Sequence, residues 1–367
     1  MLSKMDDYPL HQIADVIRHV GTSDRNFYDR YYFNLHGSSD ELFMVMGLGQ
    51  YPNLATQDAF ACVARRGQHH VVRASRVLGD RMDTSVGPFR VEVIEGLRTV
   101  RVVLEPSEHS LAFDLRWEGA IPAFEEPRQY VRKYGRVLFD TMRFAQTGYW
   151  TGTLTVGNET FRITPDRWWG TRDRSWGVRP VGEHEPPGIR QNEGQMTGMW
   201  NYSPMQFADS AILYILNETP DGARPLEEAV RIWTDPARAP EWLGRPEYEH
   251  VLAPGTRMVE RSVLRFPAAP GGALSVEATP LVTCYIAIGT GYGMEPDWRH
   301  GMYQGELVVQ GSVKPIDEIA GFGQYGVVDH VARFTASDGR TGYGLHEHGF
   351  WGPFPKYGMH DAYGGAS

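Results

Sequence analysis

The sequence predicts an all-β protein built as two antiparallel β-barrels in tandem, preceded by a short N-terminal helix. Three observations carry this expectation. Apolar and polar residues alternate in many short runs, turn-forming residues are dense (41 Gly and 24 Pro in 367 residues), and aromatic residues make up 12% of the chain. Alternation with a period of two marks strands with one buried face, and many turns with many rings suit a barrel better than a helix bundle.

The helix is expected over residues 8–20. Pro9 sits early, where its missing N–H costs nothing, Ile13, Val16, Ile17 and Val20 form one stripe, and Gly21 ends it. Strands are then expected at residues 41–48, 59–64, 69–74, 99–104, 111–117 and 149–156, and again at 211–216, 258–266, 283–288, 302–309 and 325–334. The clearest is the fifth, where Leu111, Phe113, Leu115 and Trp117 alternate with Ala112, Asp114 and Arg116. Turn signals such as Ser337-Asp338-Gly339-Arg340 separate these runs. Trp150-Thr151-Gly152-Thr153-Leu154-Thr155-Val156 echoes Tyr303-Gln304-Gly305-Glu306-Leu307-Val308-Val309, as two related halves would. The halves are expected at residues 1–185 and 186–360, with residues 361–367 as a flexible tail. The boundary falls within residues 182–191, at the polar, Pro-rich stretch Glu183-His184-Glu185-Pro186-Pro187-Gly188.

Composition excludes several classes. A net charge of −9 without a long basic run argues against nucleic acid as a partner. Cys62 and Cys284 stand far apart in different halves, so neither a disulfide framework nor a cysteine metal site is expected, only buried free thiols. No apolar run is long enough to span a membrane. The first ten residues carry Asp6 and Asp7 and no apolar core, so a secretory signal is not expected and cytoplasm is the default.

The chemistry-bearing segments are few. Asp166-Arg167-Trp168-Trp169-Gly170-Thr171-Arg172-Asp173-Arg174-Ser175-Trp176-Gly177 is the densest. Its indoles (Trp168, Trp169, Trp176) can wall an apolar pocket, with Asp173 as a fixed polar group between Arg172 and Arg174. A barrel corner with an arginine-paired Asp173 and the indoles as core explains it equally well. In Met199-Trp200-Asn201-Tyr202, Trp200 and Tyr202 share a strand face and Asn201 takes the other. In Leu345-His346-Glu347-His348, the two histidines share a face, but a metal site needs a third ligand that the local sequence does not offer, so no metal is expected. Residues 24–37, with Phe27, Tyr28, Tyr31, Tyr32 and Phe33, either line a pocket mouth or plug a barrel, with the plug favoured. Gly289-Thr290-Gly291-Tyr292-Gly293 lacks the following helix that phosphate binding requires.

Three of these motifs, in order, resemble the carotenoid 1,2-hydratase/AttH-like family of tandem lipocalin-like proteins. Arg172-Asp173-Arg174-Ser175-Trp176-Gly177 is similar to that family's Asp-His-x-Trp-Gly. Met199-Trp200-Asn201-Tyr202, a strand and Thr219-Pro220-Asp221-Gly222 are similar to its Gly-Trp-Asp-Trp, strand and Asp-Gly turn. Tyr303-Gln304-Gly305 with Gly342-Tyr343-Gly344-Leu345-His346-Glu347 looks like its closing Tyr-x-Gly and Gly-Tyr-x-Glu signature. These anchors run from about residue 150 to 350.

The resemblance implies lipocalin-like barrels with a ligand site between or inside the halves, and a cofactor-independent lyase or isomerase, hydratase- or cyclase-like. Its substrate would be a hydrophobic terpenoid, steroid or polyketide-like molecule. A non-catalytic binding protein for such a ligand is the alternative, and a homodimer stays open. The family's proton-donating aspartate falls on Asn201, and an amide has no carboxyl proton to give. The expected proton-handling groups are therefore Glu347 or the Asp329-His330 pair, with Asp173 ionised beside its arginines as positioner or base. Ligand contacts are expected from Trp168, Trp169, Arg172, Arg174, Trp176, Trp200, Asn201, Tyr202, His346 and His348. Amide replacement of Asp173 is expected to abolish turnover or destabilise the chain.

Overall fold

In a computed structural model, the described residues are 12–133, 135–185 and 197–366. They form two large antiparallel sheets with very little helix, as expected. The first sheet holds fourteen strands. Its order runs Leu307–Pro315, Gln68–Val77, Thr56–Arg65, Phe43–Tyr51, Phe27–His36, Trp169–Val178, Arg136–Val156, Leu111–Gly119, Thr99–Leu104, Phe89–Glu95 and Ser85–Val86. Three short strands pair on Arg136–Val156 away from this path. The second sheet holds nine, ordered Glu241–Trp242, Leu226–Trp233, Ser210–Glu218, Gly198–Gln206, Thr341–Trp351, Val328–Ala336, Leu274–Cys284, Val259–Phe266 and Glu247–Leu252. The first curls into a nearly closed barrel and the second into a half-barrel.

Each curl is filled by its own side chains. Inside the first, Trp117 and Trp150 meet edge to face with ring centroids 5.1 Å apart among Leu35, Met44, Met46 and Leu115. Inside the second, Met199, Met205, Tyr214 and Phe266 pack with Phe334 and Phe350. A third apolar cluster belongs to neither interior. It joins Tyr32, Phe43, Val45 and Phe60 of the first sheet to Trp200, Tyr202, Leu213 and Leu345 of the second. The two sheets therefore lie face against face, which explains why Phe43–Tyr51, Thr56–Arg65, Gly198–Gln206 and Ser210–Glu218 are buried at every position. One side of each faces its own barrel and the other side faces the opposite sheet. Leu111–Gly119, away from this contact, keeps one polar face and alternates cleanly.

Arg136–Val156 serves two partners by bending. Residues 140–149 pair with Trp169–Val178 and residues 148–156 with Leu111–Gly119. Gly152 adopts φ +132°, and a Cβ there would sit 2.0 Å from the Asp114 carbonyl oxygen, so only glycine fits this approach.

Four expectations are corrected. Residues 8–11 of the expected helix lie outside the described residues, and residues 12–20 run in turns and bends. The stripe Ile13, Val16, Ile17, Val20 is β-branched throughout, which disfavours helix, and Ile13 remains 40% exposed, so no burial compensates. The echo of Trp150–Val156 does not mark an equivalent strand. Residues 302–306 lie outside any strand, and Leu307–Pro315, largely exposed, pairs with Gln68–Val77 of the first sheet. The described part of the expected tail, residues 361–366, is held rather than trailing: Ala366 exchanges backbone hydrogen bonds with Gly255 and Thr256. Fully buried Arg257 donates to the carbonyls of Phe350, Gly352, Asp361 and Gly364. Finally, Cys62 and Cys284 are not apart. Their sulfurs meet 2.7 Å from each other across the contact between the sheets. Of the expected boundary, residues 186–191 lie outside the described residues. Just before them, Gly182 and Glu185 are tied to His300 and Asn26.

Candidate active site between the sheets

Strand register assembles the site. In the second sheet Cys284 lies opposite Asp329, Asp329 opposite Glu347, and Glu347 opposite Tyr202, so these four side chains form a row on the face toward the first sheet. In the first sheet Tyr32 lies opposite Asp173. Where the two rows meet, a cavity of ≈ 170 Å³ opens, lined by Tyr28, Tyr32, Trp200, Tyr202 and Tyr292 and by Arg30, Arg143, Arg179, Asp173 and Glu347. A larger hollow of ≈ 350 Å³ shares Phe139, Arg179 and Tyr292 with it. The lining mixes rings with charge, so it is less oily than the sequence suggested.

Two carboxyl groups dominate the chemistry. The Tyr32 hydroxyl donates to Asp329 Oδ2 at 2.6 Å, and the Trp200 indole N–H donates to Glu347 Oε1. Burial and the neighbouring Glu347 charge push Asp329 well above the usual carboxylate range. Burial also raises Glu347, opposed by hydrogen bonds from Asp329 and Trp200 and by the fields of Arg143 and Arg179. Two like charges this close cannot both ionise cheaply in a dry site, so the pair retains a proton at neutral pH. Glu347 is the member that meets the cavity.

Asp173 also faces the cavity, but its flanking arginines do not reach it. Alternation turns Arg172 and Arg174 to the opposite face, where Arg172 donates to Gln146 and Arg174 to Asp29. The strongest compensating charge is Arg143, whose Nε lies 2.5 Å from a Glu126 oxygen and whose guanidinium stands 5.3 Å from the Trp200 ring and 5.0 Å from the Tyr202 ring. Burial raises Asp173 to about 7, against the pull of Arg143 and with Glu126 and Glu347 adding to the rise. The folded chain therefore binds this proton more tightly than the unfolded chain. Stability is lost as pH rises from about 4 to about 7. Asp173→Asn is accordingly expected to stabilise the fold at pH 8 by on the order of 2 kcal/mol, less than full burial would give because the carboxyl borders the cavity, and to change little at pH 4. Denaturant unfolding at both pH values measures this, and it reverses the stability half of the sequence expectation.

The histidines lie elsewhere. His330, His346 and His348 alternate away from Asp329 and Glu347 into the second barrel. There His346 bridges Ser203 and Ser262 at 2.7 and 2.8 Å, His330 meets Thr283 at 2.9 Å, and His348 meets the Arg257 carbonyl at 3.2 Å. Burial holds all three below the usual histidine range. His330 thus cannot act with its neighbour Asp329, and His346 and His348 do not face the cavity. Asn201 turns the same way and donates to the Glu347 carbonyl at 2.8 Å. Trp168 is core of the first barrel, Trp169 packs between Tyr149 and Tyr343, and Trp176 shares the face of Arg174.

Of the expected site residues, Asp173, Glu347, Trp200 and Tyr202 line the cavity and Asp329 stands directly behind it. Residues 24–37 supply both roles: Tyr28, Arg30 and Tyr32 reach the cavity while Phe33 and Leu35 fill the barrel. Arg143 and Glu126 carried no sequence signal, being ordinary charged residues whose pairing exists only across strands. Tyr292 emerges from the glycine-rich loop as a cavity wall, its ring 4.5 Å from that of His300.

Two face-packed antiparallel sheets with a buried, carboxyl-bearing cavity between them define a tandem lipocalin-like fold. Kievitone hydratase from Nectria haematococca shares this fold at 13% identity, TM-score 0.55, over 88% of each chain. An AttH-like protein from Nitrosomonas europaea does so at 12% identity, TM-score 0.54, over 88% of this chain and 92% of the other. No curated protein matches the sequence. Residues 2–360 match the family described as "Family of unknown function (DUF8625)", and the chain belongs to it. Among the described residues, no helix is long and apolar enough to cross a membrane.

Proposed function

We propose that the cavity between the sheets is the active site of a cofactor-independent lyase or isomerase, adding or removing water at a double bond or closing a ring. The carrying observation is the Asp329–Glu347 pair, a protonated carboxyl source whose Glu347 end borders the cavity. A mere carrier has no use for a neutral-held acid. The hydratase named among the structural neighbours is consistent with this chemistry.

The surroundings narrow the substrate. The faces of Trp200 and Tyr202 are already occupied by Arg143. They are therefore poor partners for a developing carbocation, whereas Arg143 stabilises developing negative charge on oxygen. An oxygenated substrate fits better than a bare hydrocarbon: a polyketide- or polyphenol-like molecule with a carbonyl conjugated to the reacting double bond. Its carbonyl would lie toward Arg143, Glu347 would deliver or collect the proton at carbon, and Asp173, near neutrality in its proton affinity, would handle the proton of water or of a ring-closing hydroxyl.

Incubation with a panel of conjugated enones and polyphenols, followed by mass spectrometry, tests the proposal. A product heavier or lighter by one water, or an isomer with a new retention time, is the expected outcome. Tight binding with no conversion across the panel would return the site to the carrier reading.

A further inference from the structure

The catalytic reading leaves one buried cluster unused. The chain's only two cysteines, 222 positions apart in sequence, stand side by side where the sheets meet. Both are fully buried, and His69, 1% exposed, places Nε2 3.6 Å from the Cys62 sulfur and 3.8 Å from that of Cys284. Cys62 belongs to Thr56–Arg65 of the first sheet and Cys284 ends Leu274–Cys284 of the second.

We propose that Cys62 and Cys284 form a disulfide that clamps the two sheets together, with His69 as the base that assists its closure. Two thiols drawn from a chain with no others rarely meet across an interface without a reason. Among the described residues these three groups are the ones whose ligand atoms cluster closely enough to suggest an ion. Three ligands do not complete a closed tetrahedral site, and full burial leaves no access for water as the fourth. A covalent bond between the sulfurs needs no fourth group.

The chemistry balances with a low-molecular-weight disulfide as oxidant. The Cys62 thiolate attacks one sulfur of RSSR and expels RS⁻. The Cys284 thiol passes its proton to His69 Nε2 and attacks the Cys62 sulfur, expelling the second RS⁻. The two protons released end on the two RSH produced. Because both sulfurs are sealed once the sheets meet, Cys62 exchanges with RSSR before they close, and Cys284 attacks the mixed disulfide as the closing sheets bring it and His69 alongside.

The clamp has a site to serve. Cys284 lies in register opposite Asp329, the residue to which Tyr32 of the first sheet donates. A bond at Cys62 fixes the distance that this hydrogen bond spans.

The full chain, prepared with oxidised glutathione, is unfolded in guanidinium with iodoacetamide and weighed intact. Zero labels are expected, rising to two after reduction in denaturant. Dithiothreitol without denaturant should leave the mass unchanged for hours, because the sulfurs are inaccessible. Cys62→Ser should melt about 5 °C below the oxidised protein and together with the reduced one. Two labels without prior reduction would overturn the proposal. So would one equivalent of zinc per chain, released only as the thiols become reactive, which would make the cluster a metal site. The labelling result stands even if Cys62→Ser fails to fold, and it is independent of whether the cavity is catalytic.

Discussion

Glu347→Gln is expected to cut turnover about 10²–10⁴-fold while leaving the fold intact. The amide keeps an oxygen to accept the Trp200 indole N–H and fills nearly the same volume, so the local packing survives. What it loses is the ability to exchange a proton at the cavity wall. It also ends the repulsion that raises Asp329, so the remaining carboxyl titrates closer to its ordinary range and holds its proton less firmly at neutral pH. Melting at pH 8 should be unchanged or higher, because a buried carboxylate that was costly to ionise has gone. Comparing kcat, KM and melting temperature in one series separates this from simple damage. A variant that retained full activity with its acid removed would move proton transfer away from the pair.

Arg257→Met is expected to destabilise the chain by about 3–5 kcal/mol, the largest single-residue effect in the second barrel. The guanidinium is fully buried and donates to four carbonyls, at 2.9 and 3.0 Å to Phe350 and Gly352, 2.7 Å to Asp361 and 3.0 Å to Gly364. Methionine replaces the stem but none of the donors, and acceptors left dry forfeit their hydration with nothing in exchange. Burial already works against this arginine's charge, lowering it from the usual range, so the carbonyls are what hold it in place. The loss should appear as a lower denaturant midpoint, with the segment after Gly352 exchanging its amide protons first. An unchanged midpoint would mean that the final residues contribute nothing to the second barrel.

Strands with one wet face and strands buried on both faces were legible by different signals, the latter as the short apolar runs at residues 41–48, 59–64 and 211–216. Leu111–Trp117 shows period two because only one side is buried, whereas Phe43–Tyr51 is buried on both and reads simply as apolar. Local alternation also sorted Trp200 and Tyr202 from Asn201 correctly. It grouped His346 with His348 as well, but not which side of the sheet was a filled barrel and which the cavity. That depends on the opposite sheet. In the Trp-rich segment the core alternative holds for Trp168, which fills a barrel, while the arginines expected to pair with Asp173 turn from it. Arg143 was invisible because its partners, Glu126 and Asp173, lie 17 and 30 positions away in sequence. The cysteines illustrate the limit best, since separation along the chain said nothing about a meeting made by two sheets.

Leu307–Pro315, contributed from the far half of the chain to the outer edge of the first sheet, makes the two barrels mutually dependent. Severing the polypeptide near residue 190 would strip Gln68–Val77 of its neighbour and expose a raw row of backbone donors and acceptors, an invitation to self-association. Neither piece would be self-sufficient. A borrowed edge ties the two halves into one another.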